Sequence, residues 1–396
     1  MFNSAEFIAS PYPTYQTLRS TASIHYFNAA EGAWLLPRFD DVVDALYNPR
    51  LSARRSHIIV DRLPLAHRDK FTEFKRIMAR WMAFLDPPEH SALRKILNQA
   101  FKPQALQALR PRIQQLADSL LDKVQPLGRM EFMRDFAYPF PVLVIAEMLG
   151  VDPSDQPKFI AWSDDIVRFM GPTPSLEIAH RAQQSLLAIT SYFDELLPKR
   201  RQKPGDDLIS LLIQLQSQDK ALTTKKLLAQ CSMLLVTGHE APRSMLGNGL
   251  LTLLQHPAQL ERLKKDPVLM PNAVREMVRY EGPVQFITRP VIEDFCLYGQ
   301  QIKQDQFVYA LVGAANRDDN KFTEADTFDI TRQEGNHLGF GSGVHFCLGA
   351  NLAYIEAEIA FKTILDRMPN IKLALDSPDW NGAVALRTLN SLPLVF

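Results

Sequence analysis

Apolar residues recur at helical spacing through most of residues 87–280, whereas strand-like alternation is confined to the two ends of the chain. Near the start, segments 24–27 and 33–36 read as a short strand pair, followed by a helix over 39–48. After Glu281 the pattern returns to strands at 284–290, 295–302 and 307–311, and residues 382–396 read as a terminal hairpin. The longest helical signal covers 223–254, where Leu227, Leu228, Leu234, Leu235, Met245, Leu246, Leu250 and Leu254 make the segment apolar nearly all round. Such a helix is buried at the centre of its fold. The reading is a mainly α protein with a smaller β region built from both termini. No flexible linker or repeat divides residues 1–396, so a single domain is expected.

Composition adds little beyond exclusions. The chain of 396 residues is 46% hydrophobic and carries 44 basic and 44 acidic side chains, a balance that argues against bulk nucleic-acid binding. The start, Met1-Phe2-Asn3-Ser4-Ala5-Glu6, lacks a basic segment followed by an apolar run, so no signal peptide or membrane anchor is expected, and a cytoplasmic location follows. Three widely separated cysteines suit a reducing compartment.

One cysteine changes the picture. In Phe340-Gly341-Ser342-Gly343-Val344-His345-Phe346-Cys347-Leu348-Gly349, a glycine-bracketed loop runs into a helix whose apolar face holds Leu352, Ile355 and Ile359. Backbone N–H groups and the dipole at a helix N-terminus favour an ionised sulfur. Gly341, Gly343 and Gly349 allow tight turns and close approach to a flat ligand. A buried structural thiol is one competing reading, and a zinc site with His345 and His337 is another. Zinc wants a fourth ligand at short spacing, which neither Cys231 nor Cys296 supplies. Phe340 and the glycines fit a loop pressed on a porphyrin with Cys347 as axial ligand.

A second anomaly lies inside the long helix, at Thr237-Gly238-His239-Glu240-Ala241-Pro242. An unrelieved interior proline costs roughly 3 kcal/mol, so the break invites a functional reading beside that of a simple kink. Glu276 and Arg279 form an i, i+3 pair, and His90 and Arg94 lie four apart behind Pro87-Pro88, facing one side of a helix. Taken alone, each is an ordinary surface arrangement.

Together these motifs resemble the cytochrome P-450 superfamily, position for position in Phe340, Gly341, Gly343, His345, Cys347 and Gly349. The resemblance spans nearly the whole chain and implies the triangular, mainly helical fold of that family with a long distal helix. It implies haem b bound by Cys347, with His90, Arg94, Arg289 and His345 at the propionates. Glu276 and Arg279 correspond to the family's ExxR pair, with Arg332 nominated as third member of a structural network. On the distal helix Gly238 and Glu240 match the family pattern, whereas Ala241 replaces the usual threonine and cannot donate a hydrogen bond.

The resemblance further implies a monooxygenase that activates O2 to hydroxylate or otherwise oxidise a hydrophobic small molecule of secondary metabolism: a polyketide, macrolide, terpenoid or acyl chain. Ala241 keeps open a peroxide-driven or coupling, ring-forming oxidase. By the same analogy Phe84, Phe169, Leu234, Thr237, Val284, Phe286 and Leu386 line the pocket, with a loop broken by Gly171, Pro172 and Pro174. A monomer is expected, reduced by a separate ferredoxin and ferredoxin reductase docking near Arg94, Lys95 and Lys102. The ligand assignment has a direct check. Ferrous protein under carbon monoxide should show the strongly red-shifted Soret band of thiolate ligation, and Cys347→Ser should abolish it.

Overall fold

The computed structural model describes residues 2, 4–28, 32–170, 175–219, 222–374 and 377–396. They group into two compact units, one of residues 1–52, 112–138 and 241–396, the other of 53–111 and 139–240.

The first unit carries the strands. Strand Ala33–Leu36 pairs antiparallel with His25–Phe27 on one side and parallel with Phe307–Ala310 on the other, and Ile287–Pro290 completes this four-stranded sheet. All four residues of Ala33–Leu36 are buried, and the alternation of the strand divides them. Trp34 and Leu36 enter a core with Phe39, Val42, Val308, Phe322 and Leu338, whereas Leu35 joins Phe7, Tyr15, Leu18 and Leu311. The β region is therefore built from both ends of the chain.

Two strand expectations are corrected. Residues 295–302 form a hairpin, Phe295–Leu297 against Gln300–Ile302, because Tyr298 and Gly299 both adopt positive φ (51° and 75°), as a tight two-residue turn requires. The terminal hairpin is absent. Leu389–Ser391 pairs with Asp379–Trp380, while Pro393–Val395 pairs with Arg129–Glu131 and Lys372–Leu373. Only Leu392 separates those last two strands, too few residues to reverse the chain. Leu392 is instead fully buried, and its N–H donates to Glu131 Oε1 at 2.7 Å.

The second unit is helical. Helices Gln156–Met170 and Leu176–Gln202 pack along each other, with buried Phe159, Ile166 and Phe169 on one and Ala182, Leu186, Ile189 and Phe193 on the other, spaced three, four or seven apart. Ser175 caps the latter helix by accepting from Ile178 N–H, and Asp207 caps Leu208–Gln218 by accepting from Ser210 N–H at 2.7 Å.

The long helix spans Thr224–Gln255 and runs unbroken through Pro242. In the first unit its Gly249 lies against two helices, Met270–Tyr280 and Ala350–Arg367: a Cβ there would stand 3.0 Å from both Met277 Sδ and Phe361 Cζ. Phe361 is fully buried and has no room to yield. Gly249→Val should therefore lower stability by roughly 1–3 kcal/mol through overpacking, read as a reduced urea midpoint at unchanged slope.

Candidate functional site

The cysteine loop is built by hydrogen bonds within the first unit. Cys347 N–H donates to Phe340 O at 2.9 Å, Gly341 N–H to Leu338 O at 2.8 Å, and Phe346 N–H to Gly343 O at 3.0 Å. Gly341 and Gly343 both hold φ +72°, and a side chain on Gly343 would also press on Leu46 O at 3.3 Å. Helix Ala350–Arg367 begins three residues beyond Cys347, with Gly349 at its N-cap.

Behind this loop lies a fully satisfied ion pair. Glu276 and Arg279 are each about 3% exposed, and the guanidinium grips the carboxylate with two bonds of 2.7 Å. Its remaining donors reach Asn316 O (2.8 Å), Ala325 O (2.7 Å) and Thr327 O (3.1 Å). Glu276 Oε1 also accepts from Asp329 N–H at 3.1 Å and from Arg332 Nε at 3.2 Å. The structure thus brings Glu276, Arg279 and Arg332 together. Removing one partner of such a pair leaves a buried charge, at a cost of roughly 3–5 kcal/mol.

Asn316 carries this network forward, and the sequence reading missed it. Its Oδ1 accepts from Leu338 N–H at 2.7 Å, and Leu338 O in turn holds Gly341. The available signal was the abrupt polar run Asn316-Arg317-Asp318 after a buried apolar stretch. Tyr354 was missed in the same way, and His337 was named only as a candidate zinc ligand. Gly339 N–H donates to His337 Nδ1 at 3.1 Å, which leaves Nε2 to carry the proton and donate to Tyr354 Oη at 2.9 Å. Tyr354 packs edge-on to Phe340 with centroids 5.0 Å apart, under the Arg275 guanidinium. Burial pushes its phenol up to about 12.

Other predicted residues of this unit are placed as follows. Arg289 is buried on strand Ile287–Pro290, and His345 is half-buried in the turn before Cys347. Val284 bridges Leu386, whereas Phe286 stacks on Tyr309 at 5.0 Å beside the Tyr15 core. Glu356, nine residues past Cys347, is buried, and burial drives its carboxyl well above the usual range.

In the second unit, His90 is 2% exposed on helix Glu89–Leu97; burial, then the Arg94 charge, lowers its pKa. Arg94 Nε donates to Asn98 Oδ1 at 2.9 Å. Gly238 packs so tightly that a Cβ would meet Ile145 Cγ1 at 3.2 Å. His239 is fully buried and shares a 2.8 Å hydrogen bond with Ser163 Oγ. Thr237 Oγ1 donates to Met233 O at 2.8 Å. Phe84 stacks on Trp81, whose indole donates to Ser232 Oγ at 3.0 Å, and Met82 N–H donates to Gln230 Oε1 at 2.9 Å. Gln230 and Ser232, polar residues buried in an apolar helix, are thus what anchor the segment bearing Phe84. Leu234 is buried, and Phe169 lies in an aromatic core with Phe71 and Phe74. The predicted pocket loop at Gly171, Pro172 and Pro174 lies outside the described residues.

The donor set fits haem. Among the described residues no three His, Cys, Asp or Glu side chains group as an ion site, which disfavours the zinc alternative. A Cβ on Gly349 would meet nothing within 4 Å, and Val344 and Phe346, apolar members of the cysteine loop, are 52% and 42% exposed. On the long helix, buried runs end at Val236 and resume at Ser244; Thr237 is exposed, and Gly238, Glu240 and Ala241 are partly so. Each is a surface of the kind a flat apolar ring covers.

A family model for cytochrome P450 matches residues 54–369, crossing both units. The chain belongs to the cytochrome P450 family. The cytochrome P450 CYP107DY1 of Priestia megaterium is 38% identical over 92% of this chain and 90% of its own. The 6-deoxyerythronolide B hydroxylase of Saccharopolyspora erythraea is 36% identical over 97% and 95%. The structure of P450BioI in complex with hexadec-9Z-enoic acid ligated acyl carrier protein superposes with a TM-score of 0.91 at 34% identity, covering 99% of each chain. This cytochrome P450 is accordingly a haem b monooxygenase of the P450 fold. No helix among the described residues is long and apolar enough to cross a membrane.

His337 supplies a pH test of the loop's support. Burial, with the Arg279 and Arg275 charges, lowers its pKa from 6.5 to about 4. The unfolded chain takes up this proton near pH 6.5 and the folded protein only near 4. The contribution is full above pH 6.5 and is lost on acidification through that window, by roughly 1–3 kcal/mol. Urea midpoints measured across it should fall less for His337→Gln than for the parent.

Proposed function

We propose that this cytochrome P450 oxidises a hydrophobic acyl or polyketide chain, presented free or on a carrier, with electrons from a separate ferredoxin and its reductase in the cytoplasm. The observation that carries the substrate class is the likeness over 99% of both chains to P450BioI, which is solved with a fatty acyl chain on its carrier protein. The relative that hydroxylates 6-deoxyerythronolide B supports the same class of large apolar substrate.

When bound, haem supplies the two-electron activation of O2 and the oxidation of carbon. The chain's own residues then have separable tasks. Cys347 would hold the haem iron, in a loop supported by the Glu276, Arg279 and Arg332 network through Asn316 and Leu338. Arg289 and His345, with His90 and Arg94, carry cationic or hydrogen-bonding groups for the two propionates, whose burial requires such partners. Phe84, Phe169, Leu234, Thr237, Val284, Phe286 and Leu386 supply apolar walls that exclude water and orient the chain. Arg94, Lys95 and Lys102 offer charge to an acidic ferredoxin, and the protein acts as a monomer.

The distal side favours one further reading. Gly238 and Glu240 keep the family pattern, but Ala241 has no hydroxyl to hold a proton donor near the reacting face. A substrate hydroxyl or an ordered water takes that role, or peroxide replaces O2, or the reaction is a coupling that needs less proton delivery. Turnover under isotopically labelled O2 with ferredoxin, reductase and reduced nicotinamide decides among these. One labelled oxygen atom in an acyl product is the expected result, and an unlabelled product under competent electron supply overturns it. Ala241→Thr should leave the coupling of electrons to product unchanged or lower; a clear rise would mean that the missing hydroxyl is a deficit.

A further inference from the structure

The chain as a whole is electrically balanced, yet residues 54–80 hold eight arginines and lysines against three acids. Two of those acids are engaged locally, Asp61 by Lys75 at 2.8 Å and Glu73 by Arg76 at 3.2 Å. Arg54 pairs with Glu89 at 2.7 Å and lies 3.6 Å from Asp86, whereas Arg68 and Arg80 lean on backbone carbonyls, which orient a guanidinium without neutralising it. Arg68 donates to Leu63 O at 2.8 Å and to Asp61 O, and Arg80 to Arg76 O at 2.7 Å. Among the described residues Arg68, Lys70 and Arg80 meet no carboxylate. Three residues before Arg68, Leu65, the first residue of the turn Leu65–Phe71, is 77% exposed.

We infer that this surface docks an acidic carrier domain that brings the acyl chain as a thioester. The inference rests on the acyl-chain reading above and adds the place of docking. Two features choose a carrier over other acidic proteins. First, an unneutralised cationic field around one apolar anchor suits an acidic helix with a single apolar contact, reinforced by the phosphate that joins a carrier to its acyl arm. Second, the surface roofs the predicted substrate wall. Phe71, at the end of the exposed turn, is fully buried and stacks on Phe169 at 6.1 Å, and Phe74 meets the same ring edge-on at 5.2 Å. No residue of the surface belongs to the Arg94, Lys95 and Lys102 group proposed above for the ferredoxin.

The test uses the haem-loaded full chain, an acyl carrier protein charged with a hexadecanoyl chain, and free hexadecanoic acid, with binding read by the Soret shift and by calorimetry. In a triple variant, Arg68→Glu with Lys70→Glu and Arg80→Glu, affinity for the loaded carrier should fall at least about tenfold while that for the free acid stays within about twofold. Added salt should weaken only the carrier complex. The variant Arg68→Lys with Arg80→Lys, which keeps the charge, should bind the carrier within about threefold of the parent. Unchanged carrier affinity in the triple variant overturns the proposal. So does binding of free acid but not of loaded carrier, which leaves the acyl-chain reading standing. Failure of both ligands to bind removes that reading and this one with it. A matching loss of ferredoxin-driven reduction in the triple variant would assign the surface to the reductant instead.

Discussion

The arrangement around Cys347 depends on one guanidinium. Arg279 has five N–H donors, and all five are used: two on Glu276 and one each on the carbonyls of Asn316, Ala325 and Thr327. A buried ion pair is weak evidence for stability, because desolvation offsets much of its attraction. Its value here is geometric. The three carbonyls belong to a segment with little regular structure, 316–327, and a planar fork with fixed directions leaves that segment one way to lie. A lysine at this position would offer three rotatable donors on a point charge and could not satisfy the same set.

That constraint propagates by contact. Asn316 is held through its own carbonyl and then uses its side chain to hold Leu338, whose carbonyl holds Gly341 in the left-handed turn that leads to the cysteine. A parallel route runs through His337, which accepts from Gly339 and donates to Tyr354 on the helix that follows the loop. The loop is thus fixed from both ends. Electron donation from a thiolate depends on the placement of the sulfur and on the hydrogen bonds near it, so this rigidity is part of the chemistry.

How much of this was legible follows from what kind of group does each job. Cys347, Glu276, Arg279 and Arg332 act through side chains at marked spacings, and the sequence displays them. Asn316, His337 and Tyr354 act through partners that are distant in sequence or are backbone N–H groups, which leave no compositional trace. The same limit explains the strand errors. Residues 295–302 have the composition of one strand, and only the tolerance of Tyr298 and Gly299 for positive φ splits them. The last fifteen residues alternate like a hairpin, but Leu389–Ser391 and Pro393–Val395 find better partners in strands from residues 129–131, 372–373 and 379–380. Long-range pairing overrides local pattern.

The long helix follows a different logic. Between Val236 and Ser244 it gives up apolar burial, carries an interior proline, and places a glycine where only Ile145 fits against it. These departures weaken a helix, and the compensation visible here is local: Thr237 bonds back to Met233 and His239 is pinned to Ser163. Pinning His239 fixes the rotation of the helix about its axis, and with it the direction in which Gly238 and Ala241 face. A helix held in register but stripped of its hydroxyl presents a smooth, apolar patch with no donor of its own at Ala241. On the proposed reading, proton positioning there passes from Ala241 to whatever occupies the patch. If a substrate hydroxyl fills that place, the identity of the substrate would set how efficiently electrons are converted to product.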